Sequence, residues 1–406
     1  MFSQHRAVPI VLLVLLLDAI GFGIVLPVLP GLVVHLANVS MSEATRIAGY
    51  MLVGYAVMQF LAGPIIGNLG DRFGRRPVLL MCAFAFTIDY ALMAAAPTIG
   101  WLFVGRLVAG VAGATYGPAN AVLADVTEPK DRARVFGLMG AAFGGGFILG
   151  PALGGLLAGF GTRTPFIVAA VLTGLNFLWI LVGMPETLKS EDRRKFDWRR
   201  ANAFGTFGPL LRQSAAVPLI LASLLWQIAH QVYPSTWAFW ASLKFEWTSA
   251  QIGASLAAAG LSMAISQAFL TGKAVARFGE HRSIVIGMLV GGLSFALYAF
   301  VPAGWMVYPI IIFSALQGLV YPSTNALLSR MTDASNQGAL QGGMASVASL
   351  GAIVGPLGMT QVLAAGAEHG FAGSAFLAAA ALVSAALAVV YFRVLGQPAA
   401  AAGSAG

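Results

Sequence analysis

Three ionisable side chains, Asp18, Asp89 and Arg106, interrupt long apolar stretches of this chain. If those stretches cross a bilayer, Asp18 lies about ten residues into the first, or about 15 Å deep at 1.5 Å rise per residue. A charge at that depth is costly, and intramembrane acids commonly mark an ion or ligand pathway. Burial disfavours the charged form of a carboxylate and a nearby cation favours it. An acid held between these influences can take up and release a proton, so Asp18 is the first candidate for proton chemistry. Arg106 reaches a similar depth, about eight residues from the outer end of its stretch. It is expected to pair with Asp18, either tuning its proton affinity or joining two helices as a fixed ion pair. Asp89, also near mid-depth, reads equally as functional or structural. His230 stands with Gln227 and Gln231 at helical spacing. It is either a proton or ligand group, since His titrates near neutrality, or a neutral ring satisfied by hydrogen bonds.

The elements that position these residues must be membrane helices. Of 406 residues, 58% are hydrophobic and 9% charged, with mean hydropathy +0.83, whereas a soluble domain carries roughly 25% charge. A span needs about 20 apolar residues. Twelve segments qualify: 8–36, 44–67, 77–96, 98–124, 134–160, 164–184, 214–241, 248–271, 283–301, 305–329, 339–365 and 371–395. The first is too long for a cleaved signal peptide and is read as a retained span. One cysteine, Cys82, excludes a disulfide framework or a cysteine metal site. No cofactor or metal is expected.

The net charge of +8 is distributed as a topology signal and does not indicate nucleic acid. Twelve spans put both termini and alternate loops on one face. That face holds 19 of the 23 Lys and Arg, including Arg6, Arg199, Arg200 and Arg212; Arg46, Arg163 and Lys244 lie opposite. The positive-inside rule makes the basic face cytoplasmic.

Residues 185–213 form the one long polar stretch, read as a cytoplasmic linker between a bundle at 1–184 and another at 214–406. The halves match at a constant offset of 205 residues: Gly67, Arg72, Phe73 and Gly74 with Gly272, Arg277, Phe278 and Gly279; Tyr116 and Asn120 with Tyr321 and Asn325; Gly146, Gly150 and Pro151 with Gly351, Gly355 and Pro356. Parallel six-span repeats with a ligand site near the midplane are a transporter architecture. The expected fold is all-α: twelve transmembrane helices in two pseudo-symmetric six-helix bundles.

Three motifs carry a family resemblance. The fifth span holds Gly137, Gly146, Gly150, Pro151, Gly154 and Gly155, small residues on a face that lets another helix approach closely. This spacing resembles the antiporter motif of major facilitator drug exporters. Gly67-Asn-Leu-Gly-Asp71-Arg72-Phe-Gly74-Arg75-Arg76 resembles that superfamily's loop between helices 2 and 3. Gly105-Arg106-Leu-Val-Ala-Gly110 resembles its helix-4 proton-exporter signature. Asp89-Tyr-Ala, Ala124-Asp125-Val-Thr, Gly174-Leu-Asn176-Phe and Gln337-Gly-Ala-Leu-Gln341-Gly are similar to bacterial tetracycline/proton antiporters. The resemblance implies a role for Arg106 in proton coupling. It also implies an acid in helix 9 and a His in helix 8, where this chain has Gly291 and Met263. Coupling is therefore expected to rest on the N-terminal half, and a relative of tetracycline is favoured over its metal chelate.

Asp71, Arg72 and Arg76 at the end of helix 2, with Asp125 at the end of helix 4, are expected to form a cytoplasmic gate, with Gly67 and Gly74 permitting the turn. The second half has Ala276 for Asp71 and Arg330 for Asp125, so the stronger lock is expected in the first. Substrate candidates are Asn120, Gln227, Gln231, Tyr233, Trp237, Gln317, Tyr321 and Asn325, a set suited to a planar, partly polar molecule. The resemblance implies a monomeric, proton-coupled exporter of a drug-like compound in the inner membrane. An endogenous-metabolite transporter is the alternative. No HExxH, Walker loop or nucleophile elbow supports an enzyme.

Overall fold

The computed structural model describes residues 4–198, 202–206, 216–332 and 336–395. Arg199, Arg200, Arg212 and the Arg6 side chain lie outside the described residues, as does the tail beyond residue 395. Among the described residues the regular structure is helical throughout.

Among the described residues, ten helices are long and apolar enough to cross a membrane. One of these, Ser249–Phe300, is two spans, because Gly279 at φ 74° breaks it. A further span consists of two shorter helices, Val217–His230 and Val232–Phe245. The twelve spans are thus α1 (Gln4–Val25, continued by Leu29–Ala37), α2 (Met41–Phe73), α3 (Arg75–Ala95), α4 (Ile99–Val126), α5 (Arg132–Leu157) and α6 (Thr164–Gly183). They continue with α7 (the pair just named), α8 and α9 on either side of Gly279, α10 (Gly304–Arg330), α11 (Gln337–Glu368) and α12 (Ser374–Val389).

Local sequence sets the boundaries. Ser40 caps α2 by accepting a hydrogen bond from the Glu43 N–H at 3.2 Å, the first half of a Ser-x-x-Glu capping box. Gly74 ends α2 at φ 104°, a conformation that disfavours any side chain. Gly67 lies within α2 with nothing near it, so the turn depends on Gly74 and not on Gly67.

The structure forms two compact units. The first comprises Met1–Ala203 with Ala241–Gly260, and the second Phe204–Trp240 with Leu261–Gly406. Residues 241–260 thus join the first unit, although the linker-based division assigns them to the second bundle. The start of α8 packs on α5 there: a methyl at Gly155 would sit 2.6 Å from the Ser249 carbonyl oxygen, and one at Gly253 would strike that of Pro151.

In the first unit α5 seats α1 through glycines one turn apart. A methyl at Gly146 would lie 2.8 Å from the Leu16 carbonyl oxygen, one at Gly150 2.7 Å from that of Ile20, and one at Gly154 would collide with that of Ile24. In lipid, with no hydrophobic drive between helices, such backbone approach is a main source of association. Gly137 has nothing within 4 Å and takes no part in this seam. The second unit repeats the device: Gly351 and Gly355 of α11 receive the Cβ atoms of Gln227 and Gln231 from α7. Gly21 and Gly23 pack against Tyr90 and Pro151, and α1 breaks only after them, at Val25.

Candidate functional site

The first unit buries an ion pair, but not the expected one. Arg106 of α4 donates through Nη2 to Asp89 Oδ2 of α3. Asp89 is 0% exposed and Arg106 5%. The guanidinium also contacts Met93 Sδ at 3.0 Å and lies 6.0 Å from the Tyr90 ring centre. Gly105 makes room for the acid, since a methyl there would stand 2.8 Å from Asp89 Oδ1. The expected Asp18–Arg106 pair is therefore replaced by Asp89–Arg106, joining α3 to α4.

Asp18 on α1 is left with a weaker, neutral partner. It accepts one hydrogen bond from Asn176 Nδ2 of α6 at 3.4 Å. Asn176 is fully buried, and its Oδ1 has no hydrogen-bond partner among the described residues. Asp18 itself is half-buried. Of these two acids within the spans, Asp89 is neutralised by a cation and Asp18 is held by an amide. Nearby, Gln59 of α2 donates to the Gly113 carbonyl at 2.9 Å, where α4 tightens into a 3-10 turn at Gly113–Thr115.

The α2–α3 corner holds a second charge cluster, centred on Arg75. Its Nη1 contacts Asp71 Oδ1 at 2.6 Å and its Nε contacts Asp125 Oδ2 at 3.3 Å. Glu186, just after α6, caps the start of α3: its carboxylate accepts the Arg75 N–H at 2.8 Å and the Arg76 N–H at 3.2 Å. Free N–H groups and the helix dipole make that end an anion site. Arg76 reaches the Leu181 carbonyl at 2.6 Å, and Arg72 is exposed over Phe73. Of the four expected gate residues, Asp71 and Asp125 share a cation, whereas Arg72 and Arg76 turn elsewhere. Arg75, the residue that joins the two acids, was missed because the proposed network stopped at the residues flanking it.

The second unit carries the corresponding pair with its charges exchanged. Glu280 and Arg330 stand at the offset positions of Arg75 and Asp125, and Arg330 Nη2 lies 2.6 Å from Glu280 Oε1. The second corner thus carries an ion pair of its own, with one acid on its arginine where Arg75 holds two.

Among the substrate candidates, Gln317 is 8% exposed and donates to the Tyr233 hydroxyl at 3.3 Å. The His230 ring packs tilted against Trp226 with ring centres 4.1 Å apart, and its Nδ1 and Gln317 Oε1 lack hydrogen-bond partners among the described residues. Tyr233 and Trp237 belong to an aromatic core with Trp240, Tyr298 and Phe376. Trp237 is 3% exposed, a core residue and not a lining one. Tyr321 is 63% exposed, and Asn325, one turn on, is half-buried. Asn120 donates back to the Tyr116 carbonyl of its own helix at 3.1 Å.

A family model described as Major Facilitator Superfamily matches residues 11–356 and 233–405. The chain belongs to the major facilitator superfamily. It is 43% identical over 380 residues to the class C tetracycline resistance protein of Escherichia coli, covering 94% of this chain and 95% of that one. It is 40% identical over 378 residues to the class G protein of Vibrio anguillarum, covering 89% and 92%. These similarities place it in the group of tetracycline resistance proteins. Among solved structures, the nucleoside transporter NupG superposes with TM-score 0.76 at 14% identity, over 97% of this chain and 99% of that one. The human organic anion transporter MFSD10 superposes with TM-score 0.69 at 23% identity, over 95% and 99%. The protein is a multi-pass membrane transporter and not an enzyme.

This facilitator also departs from the pattern its resemblance implies, for a steric reason. A side chain at Gly291 would meet the Trp226 ring, 2.8 Å from Cη2, so the indole occupies the space an acid would need. The sequence signal for the Asp89–Arg106 pair was Gly105, a small residue beside a buried arginine.

Proposed function

We propose that the protein is a proton-coupled antiporter that exports tetracycline or a related planar, amphipathic drug from the cytoplasm. The observation that carries this reading is the division of labour between two acids. Asp89 is bound to Arg106, and Asp18 is held by the amide of Asn176. Asp18 would carry the proton, with Asp89–Arg106 as a fixed brace. Asp71, Arg75 and Asp125 would latch the cytoplasmic end of the first unit, giving conformational switching a two-state element. His230 and Tyr233 of α7, with Gln317, Tyr321 and Asn325 of α10, would offer polar contacts to a substrate from the second unit. The transporter would act as a monomer in the inner membrane, with both termini and residues 185–213 in the cytoplasm.

The names of the curated relatives put tetracycline first among substrates to test. Expression in a susceptible host should raise resistance and lower accumulation of labelled tetracycline, and an uncoupler should abolish both effects. Accumulation that ignores the uncoupler would reject proton coupling. For orientation, cysteines introduced at Lys195 and Lys244 should label from opposite sides of the membrane.

A further inference from the structure

The polar stretch that follows α6 does not leave the first unit at once. Asn68 lies in the last turns of α2 and is 8% exposed. Its Nδ2 donates to the Asp197 carbonyl at 2.6 Å, and its Oδ1 accepts the Asp197 N–H at 3.4 Å. One side-chain amide thus satisfies both backbone groups of one residue, as a neighbouring strand would. Three residues earlier, the Arg194 N–H donates to the Asp71 carbonyl at 3.0 Å. Asn68 and Asp71 share a face of α2, being three residues apart.

The Asp71 carbonyl is among the last four of its helix, which have no intrahelical donor. Glu186 supplies acceptors to the first N–H groups of α3. The segment 186–197 therefore closes both helix ends at the corner: α3 through a carboxylate and α2 through a backbone N–H. Asp71 takes part twice, with its carbonyl held by this segment and its carboxylate by Arg75.

We propose that residues 186–197 are a strap built into the α2–α3 corner, that Asn68 is its clip, and that the strap positions Asp71 for the Arg75–Asp125 latch. Asn68 is a positioning residue: it holds a backbone and touches none of the charges. The role in transport rests on the gate reading above; the existence of the strap does not.

Limited trypsin digestion of the detergent-purified protein tests the strap directly, with cleavage after Lys130, in another loop, as reference. Asn68→Ala should speed cleavage after Arg194 and Lys195 by about fivefold, because local opening exposes the chain. Arg194→Pro provides a second route that leaves α2 unchanged. It removes the N–H that reaches Asp71, and Arg193, at φ −70° and ψ 138°, already has the backbone that a following proline requires. It should expose Lys195 similarly, whereas Arg194→Ala keeps the N–H and should not. In proton-driven uptake by everted vesicles, Asn68→Ala and Arg194→Pro should lower the maximal rate by about threefold with KM unchanged, as expected of a group that does not contact substrate. Wild-type cleavage in both variants would overturn the strap. Faster cleavage with an unchanged maximal rate, or a change confined to KM, would overturn its positioning role. If the wild-type protein itself transports nothing, the functional reading fails while the digestion result stands.

Discussion

Arg106 and Asp89 are buried against one another, so neither can be removed without stranding its partner in a low-dielectric site. Asp89→Ala should therefore destabilise the protein by about 3–5 kcal/mol, the usual penalty for an uncompensated buried charge. Joint replacement by Asp89→Leu and Arg106→Leu should recover most of that loss. Thermal unfolding in detergent is the measurement, and single variants as stable as the wild type would refute the pairing. The identity of the charged residues inside the spans was legible from the sequence, because composition makes each conspicuous. Which acid meets the arginine was not. Asp18 and Asp89 sit at similar depths, and the choice depends on how α1, α3 and α4 rotate about their axes. That rotation follows from helix packing, with Gly105 as its one local trace.

Glycine placement decides which helices meet. Gly146, Gly150 and Gly154 face the backbone of α1, whereas Gly137 of the same motif faces open space. Gly150→Ala should cost about 1–3 kcal/mol through overpacking, lower the melting temperature and displace the helix that carries Asp18. Gly137→Ala should leave the melting temperature unchanged, and equal effects at the two positions would contradict the seam. The span count and the close-packing role of α5 were readable from hydropathy and the small-residue spacing. Finer features were not. The chain after α6 reads as a plain polar linker until its hydrogen bonds to Asn68 and Asp71 are seen. Backbone hydrogen bonds from an irregular segment leave little trace in residue type.

Across the whole molecule, the sequence repeat predicts two similar units, and the structure adds a charge inversion between them. Arg75–Asp125 in the first unit corresponds to Glu280–Arg330 in the second. If the pair matters and its polarity does not, Glu280→Arg or Arg330→Glu alone should lower export by roughly threefold, and the double exchange should restore most of it, the coupling expected of residues in contact. Drug uptake in everted vesicles would show this, and a double variant no better than the singles would dismiss a latch in the second unit. The central claim concerns the proton. Purified protein in weak buffer, titrated with tetracycline, should release protons, and Asp18→Asn should bind the drug without release, because the amide mimics the protonated acid. Unchanged proton release in Asp18→Asn would contradict the account and shift the coupling role to Asp89 or His230.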